Sequence, residues 1–587
     1  MKSIYRIRPW VLAALAAITA FALMAGCARK PGQHQREPLP PQVSQLLRET
    51  VQNRALPAAF KDQKELQRAW QDLRSFYDKR GYRPAWSDDR GPRPQAMELI
   101  RAIPPLAADG LDLRRYPAER LAALVKEVRE AKSLDDPQAQ RRLVDLDVEL
   151  TYTCLALAAH LATGRLQPET LRVDWYTKRR NVDIESRLDQ ALTADSPGEI
   201  VKILRSLTPP YAGYQRLVQA LTGYRGIAAR GGWGEVPPGP VLKNGDRGPR
   251  VAALRSRLAA SGDLAAPAPG APAADSYDDA VAAGVSHFQR RHGLEAAGRV
   301  DADTLAALNV PVAERIGQLQ VNLERWRWMP ASLGDRYVLV NVPEFRLDVV
   351  DGGQTPLSMR VIVGKTQSRT PAFSDKMTFI ELNPSWSLPD DIVAKEVAPK
   401  LARNPGYLRS HDMEVVKRSG GKEEVVDASE VDLSRLGHGS PYHLRERSGE
   451  ENPLGKIKFM FPNEFDVYLH DTPSHHLFAK TERDFSHGCI RLEKPLDLAA
   501  YLLKDDPKWT PEAIQEAIDS GEHRTVSVPR PLPVHILYWT AWADADGTVE
   551  FRKDIYGHDA ELEQALAQEP PVWVEPGTMR KDVRAAK

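Results

Sequence analysis

The chain has 587 residues, with 80 lysines and arginines against 79 aspartates and glutamates. That balance supplies no net field for a nucleic-acid backbone, so a nucleic-acid partner is not expected. Three cysteines, at 27, 154 and 489, are too few for a disulfide framework, and the length suggests about three domains.

Residues 1–27 read MKSIYRIRPWVLAALAAITAFALMAGC, with Lys2, Arg6 and Arg8 ahead of an apolar run from Trp10 to Ala25. A basic start followed by a short apolar stretch is the anatomy of an export signal, and the run is short for a full span of about 20 residues. Its ending, Met-Ala-Gly-Cys, resembles the bacterial lipobox, with Met24 where leucine is usual. That resemblance implies a signal peptide over 1–26 and lipidation of Cys27. The polar, Pro-rich segment 27–42 then reads as a flexible tether. The expectation is a protein of the periplasm or cell envelope, held to a membrane through a lipid anchor. Nothing further along is long and apolar enough to span a bilayer.

From 43 to 232 the chain reads as a helical scaffold. Its clearest segment carries Leu143, Leu146, Leu150, Cys154, Leu157 and Leu161 on one helix face and stops at Gly164. Cys154 therefore reads as a small core residue rather than a reactive thiol. No catalytic constellation appears in this region. The segment GGWGEVPPGP (231–240) reads as a linker.

A compact unit follows over 240–312. Val251, Leu254 and Leu258 form one helical stripe, Val281, Val285 and Phe288 a second, and Thr304, Leu305 and Leu308 mark a third. Asp246, Asp301 and Asp303 sit where carboxylates cap helix starts. The pattern G-D-R-G-x-x-V-x-x-L-x-x-x-L, then F-Q-x-x-x-G-L, then G-x-V-D-x-x-T-L-x-x-L resembles the small peptidoglycan-binding domain of bacterial wall enzymes, which implies glycan as a partner.

After Trp328 the period changes to two. YVLVNVPEFRLDVVDGGQTPLSMRVIVGK alternates and turns at Asp351-Gly352, a hairpin signal. Strand-like runs recur through PVHILYWTAW and GTVEFRKD, so 335–562 reads as a mostly β domain, with 563–587 as a tail. Within it, about 384–455 is rich in charge, Pro and Gly and reads as a long irregular insertion. Such an insertion is expected to be a lid, with Trp386, Tyr407 and Tyr442 available to touch a substrate.

The chemistry concentrates at 468–499. Cys489 follows Ser486, His487 and Gly488 and precedes Arg491, a polar and cationic setting expected to lower a thiol's pKa. Gly488 permits a sharp turn, so nearby N–H groups can converge on an oxyanion. His470, 19 residues upstream at the end of a strand-like run, is the candidate base. Zinc is the rival, since His470, Asp471, His475, His476, His487 and Cys489 offer ligands. No pair, however, has the spacing of common zinc sites, and His475 and His476 read as loop residues near the site.

H-x(15)-S-H-G-C-I-R resembles the active-site signature of the L,D-transpeptidases. The longer stretch LGKIKFMFPNEFDVYLHDTPSHHLF…SHGCIRLEKPLDLA is similar to that family's large Gram-negative branch. The resemblance implies a multidomain α+β chain: helical scaffold, three-helix peptidoglycan-binding module, and mostly β catalytic domain with a lid-like insertion. It implies Cys489 as nucleophile and His470 as base, acting on peptidoglycan stem peptides without metal or organic cofactor. Backbone N–H groups at His487–Cys489 and Tyr468 would serve the oxyanion, Ser486 would orient a histidine, and Arg491 would hold the loop or a stem carboxylate. The product would be a 3→3 cross-link. Water or a wall protein as acceptor gives an L,D-carboxypeptidase or an attachment enzyme, and a non-catalytic envelope tether is the alternative from another class.

Overall fold

The computed structural model describes residues 39–568 apart from 54–63, 195, 267–273, 405, 420–421, 433–435 and 437–438. The export signal, Cys27 and most of the tether lie outside the described residues, as does 569–587. Among the described residues no helix is long and apolar enough to cross a membrane.

Helix α1 (Pro137–Thr163) is the axis of the scaffold. Asp136 caps it by accepting from the Gln138 N–H, Pro137 opens it, and Gly164 at φ +83° follows its end. The sequence predicts one buried stripe, but the helix is buried on nearly every side from Leu143 to Ala162 because the other scaffold helices surround it. Cys154 is 4% exposed, and burial pushes its thiol up to about 12, the inert setting that its spacing suggests.

The scaffold does not hold together as one block to residue 232. Its own core runs from Val43 to Leu207. Helix α2 (Ala212–Ala229) instead buries Tyr214, Leu217, Leu221 and Tyr224 in the core of the β domain, as do Val173 and Trp175. The steps of three and four give α2 one apolar face, and the sequence does not reveal which neighbour that face meets.

The three-helix module is α3 (Pro249–Ala260), α4 (Asp279–Arg291) and α5 (Ala302–Leu308), closed around Val251, Leu254, Leu258, Val281, Val285 and Phe288. Asp278 and Asp301 cap α4 and α5. Asp246 does not cap α3, since its carboxylate takes the Lys243 N–H of the preceding turn. The Gly-rich segment before the module is no free linker. Val236 is fully buried, and its N–H and carbonyl both pair with the Asn309 side chain at 2.9 Å. Helix α6 (Val312–Arg327) then packs on α2 and leads into the β domain.

The strands of that domain's main sheet, in chain order, begin with β1 (Arg336–Asn341), β2 (Arg346–Asp351), β3 (Gln354–Gly364) and β4 (Phe373–Leu382). After the insertion come β9 (Ile457–Met460), β10 (Leu469–His470), β11 (Asp484–Ser486), β12 (Ile490–Leu492) and β13 (Arg524–Leu537). They lie in the order β11-β3-β12-β10-β9-β4-β13-β1-β2, and β2 also pairs with β3, so the sheet closes on itself. The β2–β3 hairpin turns at Gly352 and Gly353, both at positive φ, the geometry that favours glycine in a tight hairpin. The closing helix α7 (His558–Ala567) runs past 562 and keeps Ala565 buried.

The insertion is a folded subdomain rather than an irregular excursion. Strands β5 (Trp386–Ser387), β6 (Met413–Ser419), β7 (Lys422–Val426) and β8 (Tyr442–Glu446) form a sheet ordered β5-β8-β6-β7. Helical turns between Asp390 and Ser410 cover it through Val393, Val397, Leu401 and Leu408, which meet Leu388, Val415 and Leu444. Val415 and Leu444 supply the alternating apolar face, which the surrounding charge disguises.

Candidate active site

The site grows from the register of four neighbouring strands. Glu381 on β4 pairs with Lys458 on β9, Lys458 with His470 on β10, and His470 with Arg491 on β12. Side chains in register across a sheet share a face, so Glu381, Lys458, His470 and Arg491 form one polar row. By period two, Tyr468 and Cys489 join the same face. Ile490 N–H bonds to the Tyr468 carbonyl at 3.1 Å, which sets Cys489 beside Tyr468 and diagonal to His470.

The turn carrying Cys489 is held by side chains. Ser486 Oγ donates to the Cys489 carbonyl at 2.5 Å and accepts the Gly488 N–H at 3.1 Å. Thr370 Oγ1 donates to the Gly488 carbonyl at 2.7 Å and accepts the Gly364 N–H at 2.9 Å. Gly488 itself sits at φ +121°, a region an L side chain rarely adopts. These bonds correct two expectations. Ser486 clamps the turn and orients no histidine, and the Gly488 N–H is already engaged. Among the described residues the N–H groups of His487 and Cys489 have no partner.

The thiol is half-buried. Its sulfur lies 3.6 Å from the Asp466 carbonyl, and Tyr468 turns both its backbone N–H and its hydroxyl toward it. The indole of Trp386, on β5 of the insertion, bonds in turn to Tyr468. Burial pushes the Cys489 thiol up, opposed by the two Tyr468 donors and by Lys458. The expected lowering does not occur, because the surrounding cations do not outweigh desolvation.

His470 is 4% exposed. Burial, then Arg491, hold its imidazole down to about 3, so it is neutral at physiological pH. Its Nδ1 lies 2.6 Å from the Asp471 carbonyl, an acceptor, which assigns the ring proton to Nδ1 and leaves Nε2 with a free lone pair. His470 does not bond to Cys489 in this structure. The two are diagonal neighbours on one face, the separation that a substrate-free pair can close.

The remaining predicted residues divide. His487 is engaged by the insertion, with Nε2 on Glu396 Oε1 at 2.7 Å. Arg491 is half-buried beside His470, and among the described residues no carboxylate pairs with it. Tyr407 stacks on His411 at 3.9 Å, and it and Tyr442 pack on the insertion's own core rather than beside Cys489. His475 and His476 lie in a short helical turn after the site, with His475 3.9 Å from Asp471. Among the described residues no three His, Cys, Asp or Glu side chains gather as metal ligands.

Lys458, Asp466 and Glu396 escaped sequence reasoning, and Asp471 enters it only as a metal-ligand candidate, not as the carbonyl that holds His470. The alternation in KIKFMF could have placed Lys458 on the face opposite Phe459, but only register joins it to His470.

Three family models match this chain: a scaffold domain over 71–221, a peptidoglycan binding domain over 247–308, and an L,D-transpeptidase catalytic domain over 335–514. A Haemophilus influenzae protein named as an L,D-transpeptidase is 32% identical over 248 residues, 42% of this chain and 49% of the relative. The chain thus spans about half the length of that curated relative. An L,D-transpeptidase from Mycobacterium smegmatis shares 13% identity over 36% of this chain and 60% of that one, with a TM-score of 0.17. One from Xylanimonas cellulosilytica shares 16% identity over 51% of this chain and 100% of that one, with a TM-score of 0.15. At those TM-scores the two likenesses carry no argument. With the catalytic model over the SHGC turn and the scaffold and peptidoglycan-binding models ahead of it, the chain carries an L,D-transpeptidase catalytic domain behind a scaffold domain and a peptidoglycan-binding domain.

Proposed function

We propose that the protein is a peptidoglycan L,D-transpeptidase that forms 3→3 cross-links through a thioester on Cys489. The observation that carries this reading is the thiol itself, ringed by the Tyr468 N–H and hydroxyl on the face that also holds a neutral His470.

Cys489 Sγ attacks the carbonyl joining the third residue of a tetrapeptide stem to its terminal D-Ala. The thiol proton goes to His470 Nε2 as the S–C bond forms, because neither the free thiolate nor the free imidazolium is favoured here. The Cys489 N–H and the Tyr468 hydroxyl support the developing oxyanion. The C–N bond then breaks, His470 returns the proton to the leaving amine, and D-Ala departs. In the second half the side-chain amine of a neighbouring stem attacks the thioester. Its proton passes through His470 to the sulfur, which leaves as the thiol. Lys458 and Arg491 offer the stem's carboxylates two cations flanking the base.

The insertion acts as a lid, touching the cleft through Trp386 on Tyr468 and Glu396 on His487. Closure over the thioester keeps out water and favours the amine acceptor. Export and lipidation at Cys27 would put the enzyme at its substrate in the cell envelope.

The test is muropeptide mass spectrometry after expression of wild type and Cys489→Ala. New 3→3 dimers are expected with wild type alone. Dimers undiminished in Cys489→Ala overturn the assignment, and tripeptide without dimer makes water the acceptor.

A further inference from the structure

The segment after the scaffold's 3-10 turn at Pro168–Thr170 reaches across to the β domain and pairs with it. Trp175 bridges Ala372 as a short parallel strand, with Tyr176 N–H on the Ala372 carbonyl at 2.7 Å and Ala372 N–H on the Asp174 carbonyl at 2.8 Å. Alternation sends neighbouring side chains opposite ways. Trp175 turns inward, 2% exposed and edge-on to Trp328 at 5.4 Å. Docking is therefore accomplished by Trp175 and the backbone.

Tyr176 turns outward and is 54% exposed. Its ring lies 4.6 Å from that of Phe465, which leans on buried Phe373 at 4.9 Å. Phe465 does not wander. Asn463 takes the N–H groups of Phe465 and Val467 and donates to the carbonyls of Phe461 and Val467, folding the loop around one amide. The next residue, Asp466, is the one whose carbonyl lies 3.6 Å from the Cys489 sulfur. An aromatic pair, exposed at Tyr176 and half-buried at Phe465, is thus fixed beside Cys489, with one ring supplied by the scaffold.

Resting on the reading of peptidoglycan as substrate, we propose that Tyr176 and Phe465 form the subsite for a sugar ring of the donor's glycan strand. Aromatic faces present broad, rigid apolar surface with a polar tip on tyrosine, which suits the C–H face and hydroxyl rim of a pyranose. The reach fits as well. The scissile carbonyl belongs to the third stem residue, and three extended residues span about 10 Å, so a sugar at the stem's other end falls beyond the loop that touches the sulfur. The stem's carboxylates are served elsewhere, by Lys458 and Arg491.

The experiment compares two donors, a free tetrapeptide and the same tetrapeptide on its disaccharide, with wild type, Tyr176→Ala and Tyr176→Phe in the full chain. The ratio of kcat/KM for the disaccharide donor to that for the free peptide is expected to fall about tenfold in Tyr176→Ala, mainly through KM. Tyr176→Phe is expected to keep most of the ratio, since the face remains. Calorimetric titration of both donors into Cys489→Ala, with and without Tyr176→Ala, reads the same difference without turnover. An unchanged ratio with unchanged binding overturns the subsite, and so does an equal loss on both donors. Wild type that turns over neither donor refutes the transpeptidase reading instead, while the titration still decides the platform.

Discussion

His487 Nε2 and Glu396 Oε1 meet at 2.7 Å, so the histidine two residues before Cys489 is held by the insertion. Both side chains are partly exposed, so the bond is a weak latch, worth up to about 1 kcal/mol.

Glu396→Gln, on a surface turn of the insertion, is expected to keep the fold and raise hydrolysis relative to transfer about two- to fivefold. The measurement is the ratio of cross-linked dimer to tripeptide from a tetrapeptide donor. Excising roughly 400–450 with a short linker should shift that ratio further while Cys489 still reacts with a β-lactam. A constant ratio in both variants removes the insertion from the mechanism.

A carbapenem should acylate Cys489, because its strained ring offers the carbonyl an attacking thiol needs. Intact-protein mass should gain one adduct in wild type and none in Cys489→Ala. Cys154, buried and pushed up to about 12, should stay unmodified, and an adduct mapped there would show that it is reachable.

Tyr468→Phe keeps the backbone N–H and the ring but removes the hydroxyl at the sulfur. Losing one oxyanion donor commonly costs about 10²–10³ in kcat, and a loss toward the low end is expected here because the backbone donors remain. The readout is single-turnover acylation, and an unaltered rate would leave the hydroxyl without a catalytic part. His470→Ala should lose far more than His475→Ala or His476→Ala in the same assay.

The pH dependence follows from the neutral pair. With His470 held to about 3, acylation should show no acid limb near 6.5 and should climb through the alkaline range as the raised thiol ionises. Stability carries the opposite reading of the same shift. Below 6.5 the unfolded histidine takes a proton that the folded one refuses, so His470 destabilises the fold progressively as pH falls from 6.5 toward 3. Each pH unit in that window costs up to about 1.4 kcal/mol. Glu344 and Glu446, both raised to about 7 by burial, act with the reverse sign, their stabilisation fading as pH rises to 7. Denaturant midpoints of wild type and His470→Asn between pH 7.5 and 5 isolate the histidine, and parallel curves would refute its burial as a neutral ring.

Gly364→Ala should unfold the turn behind the nucleophile. A Cβ there would meet the Ser368 carbonyl oxygen at 2.0 Å and the Gly488 Cα at 3.0 Å, both backbone atoms that cannot swing aside. Thermal unfolding is expected to drop by several degrees, with acylation falling alongside it. Gly352→Ala, with open space around its position, serves as the control for positive-φ strain alone.

The motif-bearing residues were legible because chemistry writes itself into short stretches: SHGC with an upstream histidine needs no tertiary knowledge. The module was equally readable, since its helices close on themselves. What escaped depends on partners distant in sequence. The pairing of Lys458 with His470 is a matter of strand register, and the rise in the Cys489 thiol's pKa comes from burial that local polarity conceals. The insertion's fold was hidden because its core draws on residues as far apart as Leu388 and Leu444 among charged neighbours. Tyr407 and Tyr442, aromatic residues that a sequence offers to a substrate, pack on that core instead.

Trp175, Tyr214, Leu217 and Leu221 share one apolar interior with Trp326, Trp328 and Val338, so the boundaries along the chain are not the boundaries of cooperative unfolding. Excising the β domain at residue 335 would strip away α2, α6 and the Trp175 strand and expose Trp539, now stacked on Trp326 at 4.3 Å. Each such side chain is worth roughly 1.5–3 kcal/mol of burial, and a few of them equal the whole margin by which a domain stays folded. The smallest autonomous catalytic unit therefore begins inside the scaffold.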